Sequence, residues 1–423
     1  MRITLLAHRY WPHVGGVEKY VHELAKALVG MGNVVNVVAG DTTGGLVQRE
    51  DRDDVAIHRF PATRSKARCR LWFIRNHRLF TKADVVHISN THMLEYFRGM
   101  IGLVVDKRRV FLTRHGMSYK CPVPSSERAR ARRSLNHVAG VVHDGAFIGK
   151  WLGVAATICP DQGLSPEADA RRVAPEPPPD SAVYIGRCER DTGARMYVDA
   201  VRELTLKRHI PFRLDMYGSG SLVPELRTIA QREGLPVVFH GSTPDAQDHI
   251  STACFAYVDG RMVMQEAMAR GRLVLAGYTD ALKRDYVCGE RFSPFLVPVS
   301  NATELVDRTI YFIEHADERR RMTERAFDHA CTLTWRRTAA AFMDMWQQRL
   351  PQTGRPAARR TRIAHQGVGR KNVQRVMVRS ADGIDYKTGL SQRDDRGPIR
   401  VLVDARMLMG ALLRCRAIRD ASD

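Results

Sequence analysis

The sequence predicts an α/β protein of two domains, each built on a parallel sheet, followed by a basic tail. Three observations carry this expectation. A strand–helix–strand pattern opens the chain between Ile3 and Ala39, a proline-rich break interrupts it at Arg171–Asp180, and the same alternation restarts beyond the break. Strands and helices that alternate through short connections favour right-handed parallel crossovers, because a twisted strand feeding a helix packs back onto its sheet that way. A chain of 423 residues also exceeds what one core ordinarily organises.

Ile3–Ala7 is a short apolar run suited to a buried strand, and a loop ending in Gly15-Gly16 follows it. From there Val17, Tyr20, Val21, Leu24, Ala25, Leu28 and Met31 share one helical face. Gly32 closes that helix and Val34–Ala39 is the next strand. Further strands are expected at Val55–Phe60, Asp84–Ile88, Val110–Thr113 and Gly140–His143, with a helix around Phe147–Leu152. In Ala174-Pro-Glu-Pro-Pro-Pro-Asp180 the prolines remove amide donors and hold their neighbours extended, so this stretch is a linker. The expected divisions are 1–168, a linker at 169–180, a second domain at 181–350 and a tail at 351–423.

In the second domain, strands are expected at Ala182–Ile185, Phe212–Tyr217, Val237–Phe239, Phe255–Val258 and Leu273–Ala276. Helices are expected at Ala194–Arg208, Val223–Glu233, Met264–Arg270, Thr303–His315 and Glu318–Gln348. Open sheets of this kind bind ligands at the carboxyl ends of their strands, where the strand order reverses. Beyond Pro351 no apolar period persists except at Ile399–Leu408, so 351–398 reads as largely disordered, followed by one strand-like segment.

Hydrophobic residues make up 44% and charged residues 26% of the chain, the balance of a globular protein in water. The only apolar run at the amino terminus, Ile3–Ala7, is too short for a signal peptide. The least polar longer stretch, Val138–Cys159, is interrupted by His143, Asp144 and Lys150, so no membrane span is expected and a cytoplasmic protein is. The 8 cysteines are scattered without a CxxC pair, which argues for reduced thiols over a disulfide framework or a zinc site. A formal charge of +20 calls for anionic partners. Diphosphate substrates and anionic lipid are candidates, nucleic acid lacks any binding signature beside the arginines, and a coding bias toward arginine accounts for the charge equally well. The run Arg128, Arg130, Arg132 and Arg133 offers a peripheral membrane contact worth about 1 kcal/mol for each basic residue at the surface.

The chemistry-bearing residues lie at strand ends. The run His8-Arg-Tyr-Trp-Pro-His-Val-Gly-Gly-Val-Glu-Lys-Tyr-Val-His-Glu-Leu puts two glycines where backbone amides approach an anion at a helix start. It resembles the opening of the retaining GT-B glycosyltransferases of family 4, whose loop reads Pro-x-x-Gly-Gly-x-Glu. The resemblance continues through Asp84-Val-Val-His87, Thr113-Arg-His-Gly116, Pro160-Asp-Gln-Gly-Leu164, Gly186-Arg187, Met216-Tyr-Gly-Ser-Gly220, Gln265-Glu-Ala-Met268 and Thr334-Trp335, to about Leu350.

The resemblance implies two Rossmann-like domains facing a cleft and a hexosyltransferase acting on a nucleotide-sugar donor. It implies a saccharide or lipid-linked acceptor of the cell envelope, and retention of anomeric configuration. In it, Gly15 and Gly16 face the donor, His115 contacts the reacting sugar, Arg187 neutralises the diphosphate and Glu266 binds the ribose hydroxyls. Cleaving a sugar from a nucleotide builds negative charge on the departing diphosphate, which preset cations and helix amino termini stabilise. No Asp-x-Asp metal clamp is evident, so neither metal nor cofactor is expected and protein cations take that part.

Two positions depart from the family pattern. Thr192 stands where the family has a lysine, and Arg190 or Lys283-Arg284 would have to replace its charge. The family's first glutamate falls on Val258, with Asp259-Gly260 one residue later as a shorter substitute. These departures leave room for a catalytically weak nucleotide-sugar-binding or scaffold protein, and a GT-B-type sugar epimerase is a further alternative.

Overall fold

The computed structural model describes residues 1–13, 15–63, 66–164, 176–243 and 245–351, together with two strands in the tail. The first domain runs β1 (Arg2–Leu6), α1 (Gly16–Gly30), β2 (Val34–Gly40), β3 (Arg49–Arg52), β4 (Val55–Phe60), α2 (Lys66–Arg75) and α3 (Arg78–Thr81). It continues through β5 (Val85–Ser89), α4 (Thr91–Val104), β6 (Val110–Arg114), α5 (Ser125–Ser134), β7 (Gly140–His143) and α6 (Ala146–Leu152). The strands form one sheet in the order β3-β4-β2-β1-β5-β6-β7. All pairings are parallel except that of β3 with β4.

The second domain runs β8 (Ser181–Ile185), α7 (Ala194–Leu206), β9 (Arg213–Tyr217), α8 (Val223–Glu233), β10 (Val237–Gly241), β11 (Phe255–Tyr257) and α9 (Arg261–Ala269). It continues through β12 (Leu273–Gly277), α10 (Ala281–Cys288), β13 (Val297–Val299), α11 (Ala302–Glu314), α12 (Ala316–Cys331) and α13 (Trp335–Arg349). Its sheet, β10-β9-β8-β11-β12-β13, is parallel throughout. The expected α/β architecture is therefore borne out. The strand order reverses between β1 and β5 in one sheet and between β8 and β11 in the other.

Several features differ from expectation. Strand β3, Arg-Glu-Asp-Arg, has no apolar alternation and joins the sheet through backbone pairing with β4. The helix expected at Glu318–Gln348 is two helices, broken at 332–334, where the Thr334 hydroxyl accepts from the amide of Arg337 and caps α13. Helix α13 then returns to the first domain, where Trp335, Ala339, Phe342, Met345 and Trp346 share a core with Ile3, Leu5, Val37 and Phe111. Beside this return, Gly163 lets the outgoing chain touch the backbone of Trp335. A Cβ there would lie 2.3 Å from its amide nitrogen.

Beyond residue 351 the strands β14 (Met377–Arg379) and β15 (Asp385–Lys387) pair antiparallel, within a stretch expected to be largely disordered. The strand expected at Ile399–Leu408, residues 169–175 of the expected linker and 165–168 before it lie outside the described residues. Among the described residues no helix is long and apolar enough to cross a membrane.

Candidate active site between the two sheets

The site residues expected from the sequence follow the carboxyl ends of strands or lie in the first turns of helices beyond them, except Glu266, which stands in the second turn of α9. Gly15 is the N-cap of α1 and provides no side-chain cap, and the Glu18 carboxylate of the first turn lies against it, Oε2 being 2.3 Å from where a Cβ would stand. A Cβ built on Gly16 would rest 3.5 Å from Met262 Sδ of α9, which puts the start of α1 against the second domain.

From the first turn of α1, Lys19 Nζ donates to Glu266 Oε1 at 2.7 Å and to Gln247 Oε1 at 2.6 Å. Glu266 is 7% exposed and Lys19 27%. The carboxylate expected to hold a ribose thus already carries a cation from the opposite domain. No local sequence period signals a contact between residues 247 positions apart.

His115 follows β6, with its imidazole 3% exposed and Nδ1 3.7 Å from Asp144 Oδ2. Its ring meets that of Tyr20 edge-on at 4.7 Å, and among the described residues neither ring nitrogen has a hydrogen-bond partner. Arg114, the preceding residue, is buried and fixes this strand end. It donates to His143 Nε2 at 2.8 Å, to the Ala131 carbonyl at 2.9 Å and to Ser134 Oγ at 2.6 Å. The basic run expected to meet membrane lies on α5, with Arg128, Arg130, Arg132 and Arg133 exposed.

In the second domain the loop after β8 is braced from beside it. Gly218, with φ +144, passes so close to Gly186 that a Cβ would fall 1.8 Å from its carbonyl oxygen. Only glycine fits there. Arg187 extends from this braced loop and donates to Asp191 Oδ2 at 2.8 Å. The Thr192 hydroxyl lies 2.8 Å from the carbonyl oxygens of both Arg187 and Glu189, so it shapes the loop and supplies no charge.

The charge comes from α10. Lys283, 7% exposed, places Nζ 4.0 Å from Asp191 Oδ2 and 4.2 Å from the ring centre of Tyr119. Its neighbour Arg284, like Arg190, is not drawn into this cluster by any ion pair found among the described residues. Asp259 is buried and accepts from the amide of Gly193 at 2.7 Å. Burial pushes its pKa up, while Lys283 and that amide oppose the rise. One carboxylate oxygen is thereby committed to holding the start of α7. Gly260 is the N-cap of α9 and, like Gly15, offers no side-chain cap.

Arg261 was not singled out by the sequence, and it is central. Nη1 lies 2.7 Å from Glu290 Oε2, and both side chains are buried. Glu290 Oε1 in turn accepts from the amide of Ala146, at the start of α6 in the first domain. Burial opposes the charge on Arg261, but Glu290 and Asp144 outweigh it and raise its pKa. The one-residue shortening at Asp259-Gly260 was the available signal, since it brings an arginine into the first turn of α9.

Residues 14–152 match the family model described as Glycosyltransferase Family 4, and residues 179–315 match that of Glycosyl transferases group 1. No curated protein matches the chain. Among solved structures, sucrose-phosphate synthase from Thermosynechococcus elongatus superposes with a TM-score of 0.64 at 17% identity, over 82% of this chain and 98% of that one. A glycosyltransferase from Rickettsia africae gives 0.62 at 16%, over 83% and 100%. Anabaena HepE, solved with UDP and glucose, gives 0.59 at 14%, over 81% and 99%.

Proposed function

The chain belongs to the glycosyltransferases, family 4 in its first half and group 1 in its second, and on that premise we propose that it transfers a sugar from a nucleoside-diphosphate sugar to a saccharide acceptor with retention of anomeric configuration. The observation that carries this reading is the convergence of Arg187 and Lys283 on Asp191, beyond the β8–β11 reversal. Asp191 holds the position of an anion that two preset cations serve, and a diphosphate competes for them.

As the sugar–oxygen bond breaks, charge grows on the departing phosphate, and cations already in place stabilise it without reorganising. Lys283 supplies the charge that Thr192 lacks. Glu266 receives the ribose hydroxyls, with Lys19 yielding or sharing its carboxylate. His115, its ring nitrogens without a hydrogen-bond partner among the described residues, and the amide of Gly16 face the reacting sugar. The UDP and glucose held by the Anabaena protein support a donor of this class. The acceptor is a glycan or a lipid-linked envelope saccharide, reached from the cytoplasmic face of the membrane with α5 against anionic lipid.

A second reading, a binder with little turnover, is favoured by Thr192 donating to its own loop and by Lys19 occupying Glu266. Release of nucleotide from a panel of UDP-, GDP- and ADP-sugars separates the two. Binding without release selects the second. Arg187→Ala should cost about 1.5–3 kcal/mol of diphosphate affinity, the range for a hydrogen bond to a charged group. Glu266→Ala should weaken discrimination for the ribose. Titration curves unchanged in both variants would sink the site.

A further inference from the structure

A second recess lies on the first domain, walled by β3, β4 and α2, with a volume of about 550 Å³. It sits at the outer edge of the sheet, with β2, β1 and β5 between it and β6, the strand that leads to His115. That volume falls within the range of small-molecule sites.

One wall is the register pair Arg49 and His58 across β3 and β4. The other is a single stripe of α2: Arg68, Leu71, Trp72 and Arg75, spaced i, i+3, i+4 and i+7. The opposite stripe, Cys69 and Phe73, is buried in the core. Packing on that side therefore dictates what the helix presents on this one. The Trp72 ring stands edge-on to Phe60 with centres 6.2 Å apart, which holds the indole in place. Leu71 beside it is 46% exposed. The described lining holds three guanidinium groups and no carboxylate. Burial and the adjacent Arg49 lower the pKa of His58 against the opposing pull of Asp51, so at neutral pH it is a polar partner and not a fourth cation.

We propose that this recess binds an acidic saccharide, its carboxylate, sulfate or phosphate groups on Arg49 and Arg75 and a sugar ring against Trp72. Guanidinium forks match such oxyanions two bonds at a time. An inorganic anion alone gives Trp72 and Leu71 nothing to cover, and a lipid surface asks for a convex ridge where this site is concave. Binding here does not depend on transfer chemistry. That the bound saccharide is the acceptor chain rests on the function proposed above.

The test is fluorescence anisotropy of labelled tetragalacturonate, with labelled maltotetraose as the neutral control, titrated with the full chain. The wild type should bind the acidic probe saturably and the neutral one at least tenfold more weakly. Arg49→Glu with Arg75→Glu should weaken the acidic probe at least tenfold and leave the thermal midpoint in place. Arg321→Glu with Arg325→Glu makes the same charge change on exposed positions of α12 and should weaken it less than twofold. Arg49→Gln with Arg75→Gln stands in if charge reversal disturbs folding. The proposal is overturned by no saturable binding, by equal affinity for maltotetraose or by equal weakening in the two double variants. Binding confined to phosphatidylglycerol vesicles overturns it as well.

Discussion

Lys283 carries its amine to within 4.0 Å of Asp191, and burial lowers its pKa from 10.5 even though Asp259 and Asp191 oppose the shift. The charged form serves a diphosphate. Nucleoside-diphosphate affinity should therefore fall as pH rises through this lowered pKa, earlier than for an ordinary lysine. Folding stability moves the other way. Between the lowered pKa and 10.5 the unfolded chain holds more protons than the folded one, so stability rises with pH across that window. Calorimetric titration across the alkaline range should show the affinity loss in the wild type and a flat profile in Lys283→Met. That variant should start about tenfold weaker, the size of one charge-assisted contact. An alkaline loss that persists in Lys283→Met would assign it to another group. Arg187, Glu266 and His115 were legible because each stands in a local motif. Arg261 and Lys19 were not, because their partners Glu290 and Glu266 are remote in sequence, the second in the opposite domain. Asp259 was read as a substitute ligand, and the structure adds that its carboxylate already holds the amide of Gly193.

Helix α13 shows the same limit at the level of an element. Its apolar spacing was readable, but the break that the Thr334 cap makes was not, and neither was its destination on the first sheet, since periodicity fixes which face is buried and not what covers it. The face covers His87. Trp346 Nε1 donates to His87 Nδ1 at 3.3 Å, leaving Nε2 to donate to Thr113 Oγ1 at 2.6 Å, an arrangement that requires the neutral imidazole. Burial lowers the His87 pKa to about 3 from 6.5, and the neighbouring His115 adds to the shift. The unfolded chain therefore takes up this proton as pH falls below 6.5 while the folded chain does not. By about pH 5 this should cost about 2 kcal/mol. In urea unfolding the acid loss should be shallower in His87→Gln than in the wild type, and an unchanged slope would remove His87 as its source. Trp346→Ala, which empties a fully buried site in this core, should cost about 3–5 kcal/mol in the same assay.

At the scale of the molecule, Met1–Pro351 forms one compact unit and Gln352–Asp423 another. A chain ended after Pro351 should keep its thermal midpoint and its nucleotide affinity. One ended after Leu333 should lose both, because it uncovers His87 and the first sheet's core. Loss of either property in the longer form would make the tail part of the fold. Within the first unit the main chain passes from the first domain at Asp161–Leu164 and comes back at Leu333–Thr338. These two passages are tied by Leu164 N to the Leu333 carbonyl at 3.0 Å and by Thr338 Oγ1 to the Asp161 carbonyl at 2.9 Å. With these two tethers bonded side by side, the two domains are joined along one line at the crossing chains, and away from it by the Lys19–Glu266 pair and the Glu290 bridge to α6. A donor that takes Glu266 from Lys19 removes one of those outer joins and leaves the crossing chains as they are.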